Sequence, residues 1–304
     1  MQIINAPIKN GAVRSPFDLD DGQAYRQWRD RRLAAYPDCV DVLRVSLADL
    51  YALDTAELAA LRERVRRCNM AVYQVDPGQA GDREAVRALG RQLGLERLDG
   101  NLCADDDSIT ALQVIPGGRQ QGYIPYSNLP LSWHTDGYYN KGDQMIRGML
   151  LHCVRPAASG GENALLDHEI VYIHLRDTEP AYISALMASD AMTIPPNVEQ
   201  GREIRGAVSG PVFSIDAQTG SLHMRYTHRQ RNIEWKSDAL TQEAVACLRE
   251  FLASDSEYIF RHRLAPGEGI VCNNVLHSRS GFDDDPAQPR LLYRARYYDR
   301  ISET

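Results

Sequence analysis

Apolar residues recur at helical spacing through Leu58, Leu61, Val65 and Cys68, just after Asp54 and Glu57, which are spaced as a capping box. This predicts an amphipathic helix from Asp54 onward. The run MAVYQV at 70–75 then reads as a short strand, and DREAVRALGRQLG as a second helix with Asp82 as N-cap and Gly94 as stop. After that the pattern changes to short stretches rich in branched and aromatic residues. These predict strands at 110–116, 146–154, 163–167, 211–216, 221–227, 257–264, 269–274 and 290–298. PVFSIDAQTGSLHMRY is the clearest hairpin, with AQTG as its turn. Helices interrupt the strands around 168–188 and at TQEAVACLREFLAS.

Many short strands between Gly/Pro turns imply a sandwich or barrel. Strands and helices do not alternate regularly, and no G-x-G-x-x-G or P-loop occurs, which disfavours Rossmann and TIM architectures. The expected fold is mainly β with flanking helices around a double-stranded β-helix core, a cupin-like jelly roll. Residues 51–304 would form that domain with its helical insertions. Residues 1–50, charged and irregular, would be a lid, an interface arm or a packed extension.

Composition narrows the partners. A net charge of −7 argues against broad binding to nucleic acid or an anionic membrane. The N-terminus lacks a signal-peptide pattern and no stretch is long enough to span a bilayer, so a cytoplasmic protein is expected. Cys39, Cys68, Cys103, Cys153, Cys247 and Cys272 are scattered with no C-x-x-C pair, which suits reduced, packed thiols. A small-molecule substrate fits best, and a homo-oligomer stays open.

Candidate chemistry centres on LSWHTDGYYN, residues 131–140. In an extended segment His134 and Asp136 leave the same face, either as a hydrogen-bonded pair or as two ligands of a metal. A third ligand is offered by His277, three residues beyond the apolar strand that ends at Asn273 and Asn274, from where it would meet the pair across the barrel. Two histidines and a carboxylate on one side of a metal make a facial triad with three open positions. In PRLLYRARYY, Arg290, Leu292, Arg294 and Arg296 share one strand face, as either a solvated edge or the wall of an anion pocket. Their place soon after His277 favours the pocket. Among the other histidines, His152 reads as a satisfied core residue in an apolar strand.

WHTDGYY, HCVRPAASGGENALLD, GPVFSIDAQTGSL and NNVLHSRSGFDDDPAQPRLLYR resemble, in this order, the taurine dioxygenase-like family of iron(II)- and 2-oxoglutarate-dependent oxygenases. That group includes enzymes similar to gamma-butyrobetaine hydroxylase and clavaminate synthase. The resemblance covers roughly residues 50–300. It implies His134, Asp136 and His277 as iron ligands, with no catalytic side chain beyond the metal centre. Arg290 would pair with the distal carboxylate of 2-oxoglutarate, and Asn163 would help seat it, where many members have Thr. Arg294 matches a position that meets an anionic substrate group in some members. The implied reaction consumes 2-oxoglutarate and O2, releases succinate and CO2, and hydroxylates an unactivated C–H bond. Related halogenases lack the carboxylate that Asp136 supplies, so halogenation is not expected.

Taurine-type enzymes hold their sulfonate with a histidine upstream of the H-x-D motif, and this chain has none before His134. Asp105 to Asp107, Tyr123 and Tyr126 instead suggest a cationic or amino-acid-like substrate. Tyr138 and Tyr139 would border it, with Trp133 on the packed side of the site and Gly137 on the open side. Two rival readings are a cupin-like zinc or manganese hydrolase or isomerase, and a non-catalytic metal-binding barrel.

Overall fold

The computed structural model describes residues 15–100, 108–114, 124–199, 201–229 and 233–304. Its first predicted helix is α2, Thr55–Cys68, preceded by α1, Gly22–Ala34. The capping box at its start is closed from both sides: the Asp54 carboxylate accepts from the Glu57 N–H, and the Glu57 carboxylate accepts from the Asp54 N–H, each at 2.8 Å. Helix α2 ends where Asn69 turns left-handed at φ 59°. Helix α3, Arg83–Gln92, starts on the Asp82 cap. The helical stretch after 167 is two helices, α4 His168–Thr178 and α5 Pro180–Leu186. They part at Glu179, held extended ahead of a proline. Helix α6, Ala239–Ala253, is capped by Asp238.

Six strands form a large sheet in the order Arg44–Ser46, Met70–Gln74, Glu268–Cys272, Gly148–Arg155, Leu291–Tyr297, Thr110–Leu112. Only the first pair is parallel. A smaller antiparallel sheet runs Phe260–His262, Asn163–Leu166, Leu276–Arg279, Leu131–His134. The hairpin pairs Phe213–Ile215 with Leu222–Met224, and its turn is held by the Asp216 side chain, which accepts from the N–H groups of Gln218 and Thr219.

Alternation along the strands sorts the core into layers. Leu292, Leu151, Ile270 and Val72 of the large sheet share one buried cluster with Leu165 and Phe260 of the small sheet, so these faces meet. The opposite face of the large sheet, with Tyr73, Leu150, Val271 and Tyr297, packs on α2 and α3 through Leu61, Val65 and Leu89. The outer face of the small sheet, with Ala164, Leu166 and Leu276, packs on α4, α5 and α6 and on the hairpin. Helices thus cover both outer faces. The expectation of a mainly β chain is therefore corrected to a mixed helix-and-sheet fold, because two sheets each buried on both sides need helical cover.

Part of that cover comes from the first fifty residues. Phe17 and Tyr25 join the cluster beside α4, and the Tyr25 hydroxyl donates to Asp177 at 2.8 Å. Arg32 of α1 bridges Asp167 and Glu169 at the start of α4, at 2.9 and 2.7 Å. Among the described residues no helix is long and apolar enough to cross a membrane.

Candidate metal centre

The interior faces of the two sheets carry the chemistry. His134 ends the Leu131–His134 strand and is the direct cross-strand partner of His277, with ring centroids 4.2 Å apart. The expected approach of His277 from across the barrel is thus corrected: both histidines stand on one sheet. Asp136 lies in the turn that follows, with its Oδ1 3.7 Å from His134 Nε2. One ligand atom from each of His134, Asp136 and His277 falls within 4.8 Å of the others.

Local hydrogen bonds prepare these atoms. His134 Nδ1 lies 2.9 Å from the Ser132 carbonyl, and His277 Nδ1 lies 2.9 Å from the Val275 carbonyl. A carbonyl only accepts, so each Nδ1 carries the proton and each Nε2 presents a lone pair. Burial, together with the neighbouring His134, pushes the His277 imidazole down to about 4, so it is neutral at physiological pH. Burial alone would raise the Asp136 carboxyl, but Arg294, His134 and Arg296 hold it well below the usual carboxylate range. Arg294 donates to Oδ1 at 3.1 Å, while the buried Oδ2 has no hydrogen-bond partner. A carboxylate with one oxygen unpartnered, close to two imidazole lone pairs, suits a divalent cation.

The three arginines of the last strand form no solvated edge. Arg290, Arg294 and Arg296 are 4%, 8% and 4% exposed and face the interior beside Leu292, across from the small sheet. Each has a different task. Arg294 reaches Asp136, so in this structure its contact is a metal-ligand candidate. Arg296 donates to the Tyr139 hydroxyl at 3.0 Å and pairs with Asp99. Arg290 lines a small pocket together with Asn163, Gly161 and Leu292. Its guanidinium lies over the Phe282 ring at 5.0 Å; Asp284 acts on it electrostatically, but among the described residues no carboxylate bridges it. Burial lowers it to about 10, which leaves it charged at neutral pH. Gly161, whose φ is +71°, sits beside Arg290 in a left-handed conformation that favours glycine.

Tyr138 is half-buried, with its ring edge-on to His134 at 6.5 Å. Gly137 is closed rather than open, a correction to the expected open side: a Cβ there would meet Ile146 Cγ1 at 2.4 Å. Trp133 packs as expected, donating from Nε1 to the Leu252 carbonyl at 3.1 Å. Tyr126 is buried. Asp105, Asp106, Asp107 and Tyr123 lie outside the described residues.

Three supporting residues escaped the sequence reading. Asn274 bonds the backbone of Asp136. Arg225 is buried and donates to the carbonyls of Tyr138, Pro211 and Gly210, which ties the hairpin to the turn after Asp136. Arg279 does the same for Ser127 ahead of the Leu131–His134 strand. Such side-chain bonds to distant carbonyls have no spacing signature.

The whole arrangement matches a known family. Residues 30–296 match the family described as "Taurine catabolism dioxygenase TauD, TfdA family". The chain belongs to the TauD/TfdA dioxygenase family. As a member it is an oxidoreductase, an iron(II)- and 2-oxoglutarate-dependent dioxygenase that uses O2 on a small molecule. It is similar to a uridine-5'-phosphate dioxygenase from an Amycolatopsis species, with 32% identity over 174 residues, 54% of this chain and 60% of that protein. A second uridine-5'-phosphate dioxygenase, from a Streptomyces species, is 32% identical over 203 residues, 64% of this chain and 71% of the relative. Among solved structures, the TauD/TfdA chain shares its fold with asparagine oxygenase bound to Fe(II), 3-hydroxyasparagine and succinate, at a TM-score of 0.55 and 15% identity, covering 88% of this chain and 91% of that one. AAD-2 bound to Mn(II) and N-oxalylglycine gives a TM-score of 0.59 at 15% identity, covering 86% and 95%. Family membership sets aside the hydrolase, isomerase and non-catalytic readings.

Proposed function

We propose that the protein hydroxylates an unactivated C–H bond of a small anionic molecule of the nucleoside 5'-phosphate kind. His134, Asp136 and His277 would hold iron(II), and Arg290 and Asn163 would seat 2-oxoglutarate. The observation that carries this reading is an orphaned Asp136 Oδ2 together with a buried Arg290 guanidinium that no carboxylate bridges among the described residues. In this reading the two sheets are the halves of a jelly-roll core. Residues 51–304 make up the oxygenase domain with Arg44–Ser46 as an added edge strand, and the described residues before that strand, 15–43, are an arm packed largely on its helices.

Each side chain has a definable task. The Nδ1–H bonds aim both imidazoles, and Arg294 keeps Asp136 ionised. Two neutral imidazoles and one carboxylate would leave a divalent ion with a net charge near plus one, which favours an anionic chelator. Arg290 offers a planar fork that a distal carboxylate can meet with two bonds, fixing orientation as well as charge. Iron(II), when bound, supplies the activation of dioxygen and the coupled oxidative decarboxylation. The closed packing at Gly137 and the apolar layer around Leu292 and Leu165 exclude water from the rear of the site.

Arg294, Tyr138 and Tyr139 would border the substrate. Arg205 and Arg229 lie within electrostatic reach of the Tyr138 hydroxyl, and an arginine-rich border favours an anion over a cation. The two uridine-5'-phosphate dioxygenase relatives support the same class. Five cysteines among the described residues are free, which suits the reducing cytoplasm. Succinate release with iron(II), 2-oxoglutarate and O2 tests the substrate class across matched panels of nucleoside phosphates, amino acids and quaternary amines. Substrate-dependent succinate with the phosphates supports the reading. Turnover confined to the amines or amino acids overturns it.

A further inference from the structure

We infer that Asn274 is the positioning residue for Asp136, its side-chain amide fixing where that carboxylate stands. This rests on the reading of Asp136 as a metal ligand. Asn274 follows the Glu268–Cys272 strand, is 1% exposed, and has φ 51°. Its Oδ1 accepts from the Asp136 N–H at 2.8 Å. Its Nδ2 donates to the Asp136 carbonyl at 3.0 Å and to the Ile146 carbonyl at 2.6 Å. One amide thus holds both backbone polar groups of the same residue and ties them to the segment leading into the Gly148–Arg155 strand. Ile146 closes the other side of the turn, against Gly137.

The residue type follows from the task. Three bonds need one acceptor and two donors on a neutral planar group, which among side chains only an amide supplies. The left-handed backbone then favours Asn, which tolerates positive φ better than other side-chain-bearing residues. With the main chain of residue 136 fixed and Arg294 on Oδ1, the carboxylate stands at a set position, its Oδ1 3.7 Å from His134 Nε2 and its Oδ2 without a hydrogen-bond partner. Asn273, next in the chain, serves a separate structural purpose. Its Oδ1 accepts from the Ile301 N–H at 3.1 Å, and its Nδ2 donates to Asn69 and Thr304 at 3.1 and 3.0 Å, tying down the C-terminal segment. It is a built-in control for a merely structural role.

The test titrates apo protein with Co(II), following visible d–d absorption, beside urea denaturation of the same samples. Asn274→Gly removes the amide without straining the backbone, and Asn274→Asp keeps the acceptor but loses both donors. Both variants are expected to bind Co(II) roughly 10–100-fold more weakly, with an altered d–d spectrum, as for loss of an outer-shell partner. Asn273→Ala is expected to lose stability but to keep Co(II) affinity within about twofold. Should Asn274→Gly not fold, Asn274→Ser carries the same comparison. Wild-type Co(II) affinity in the Asn274 variants, with binding lost in Asp136→Ala, overturns the inference alone. Wild-type affinity in Asp136→Ala overturns the ligand assignment beneath it.

Discussion

Asp136 is gripped at every polar atom but one: Asn274 on its backbone, Arg294 on Oδ1, and nothing on Oδ2. Arg290 mirrors it, as a buried guanidinium that no carboxylate bridges among the described residues. Leaving either unpaired in a dry interior is costly unless a ligand completes it. Arg290→Ala should therefore raise the Kd for 2-oxoglutarate by roughly thirtyfold, ~2 kcal/mol, in anaerobic calorimetry of the metal-loaded protein. Arg290→Lys should recover only part, because a point charge cannot reproduce the two-bond fork. Unchanged affinity in Arg290→Ala would remove it from the cosubstrate site. His134, Asp136, His277 and Arg290 could be picked out in the sequence because metal and anion chemistry require those residue types. Asn274, Arg225 and Arg279 could not, since amide and guanidinium bonds to carbonyls far along the chain follow from the tertiary fold alone.

Elements whose own side chains dictate them matched the sequence best. The Asp54 box, the Asp82 cap and the alternation in Leu291–Tyr297 are local, and the structure places them within a residue or two of expectation. Helix α1 is hard to read from sequence because its residues are mostly polar, and of the few apolar ones that pack on the core, Tyr25, Trp28 and Leu33, only Tyr25 is buried. His152, in the Gly148–Arg155 strand, is the satisfied core histidine that was expected. Its Nδ1 accepts from the Tyr73 hydroxyl at 2.9 Å, and its Nε2 donates to the Ala80 carbonyl at 3.1 Å. Burial pushes it down to about 4. The folded state thus disfavours the proton that the unfolded chain takes up near pH 6.5. Its contribution to stability is complete above about pH 6.5 and is lost as pH falls from there toward about 4. His152→Gln can keep both hydrogen bonds without titrating. The urea midpoint of this variant should fall less steeply with pH across that window than that of the wild type. Parallel slopes would show that His152 carries no linkage.

At the scale of the molecule, two sheets meet through one apolar layer, and the charged residues on those inner faces mark the site. Sequence patterns identified the strands but could not pair them. Which strand neighbours which depends on contacts between residues such as His134 and His277, 143 positions apart when 134 is taken from 277. That is why His277 was expected across a barrel and stands instead beside His134. The division of labour is that the small sheet brings the histidines, the large sheet brings the arginines, and the turn after His134 supplies the carboxylate between them. Anaerobic addition of iron(II) and 2-oxoglutarate to apo protein tests this most directly, by the weak visible charge-transfer band of the metal-bound keto acid. The account predicts that the band saturates at one iron per chain in the wild type and is lost in His277→Ala. No band in the wild type, or a full band at wild-type iron affinity in His277→Ala, would contradict it.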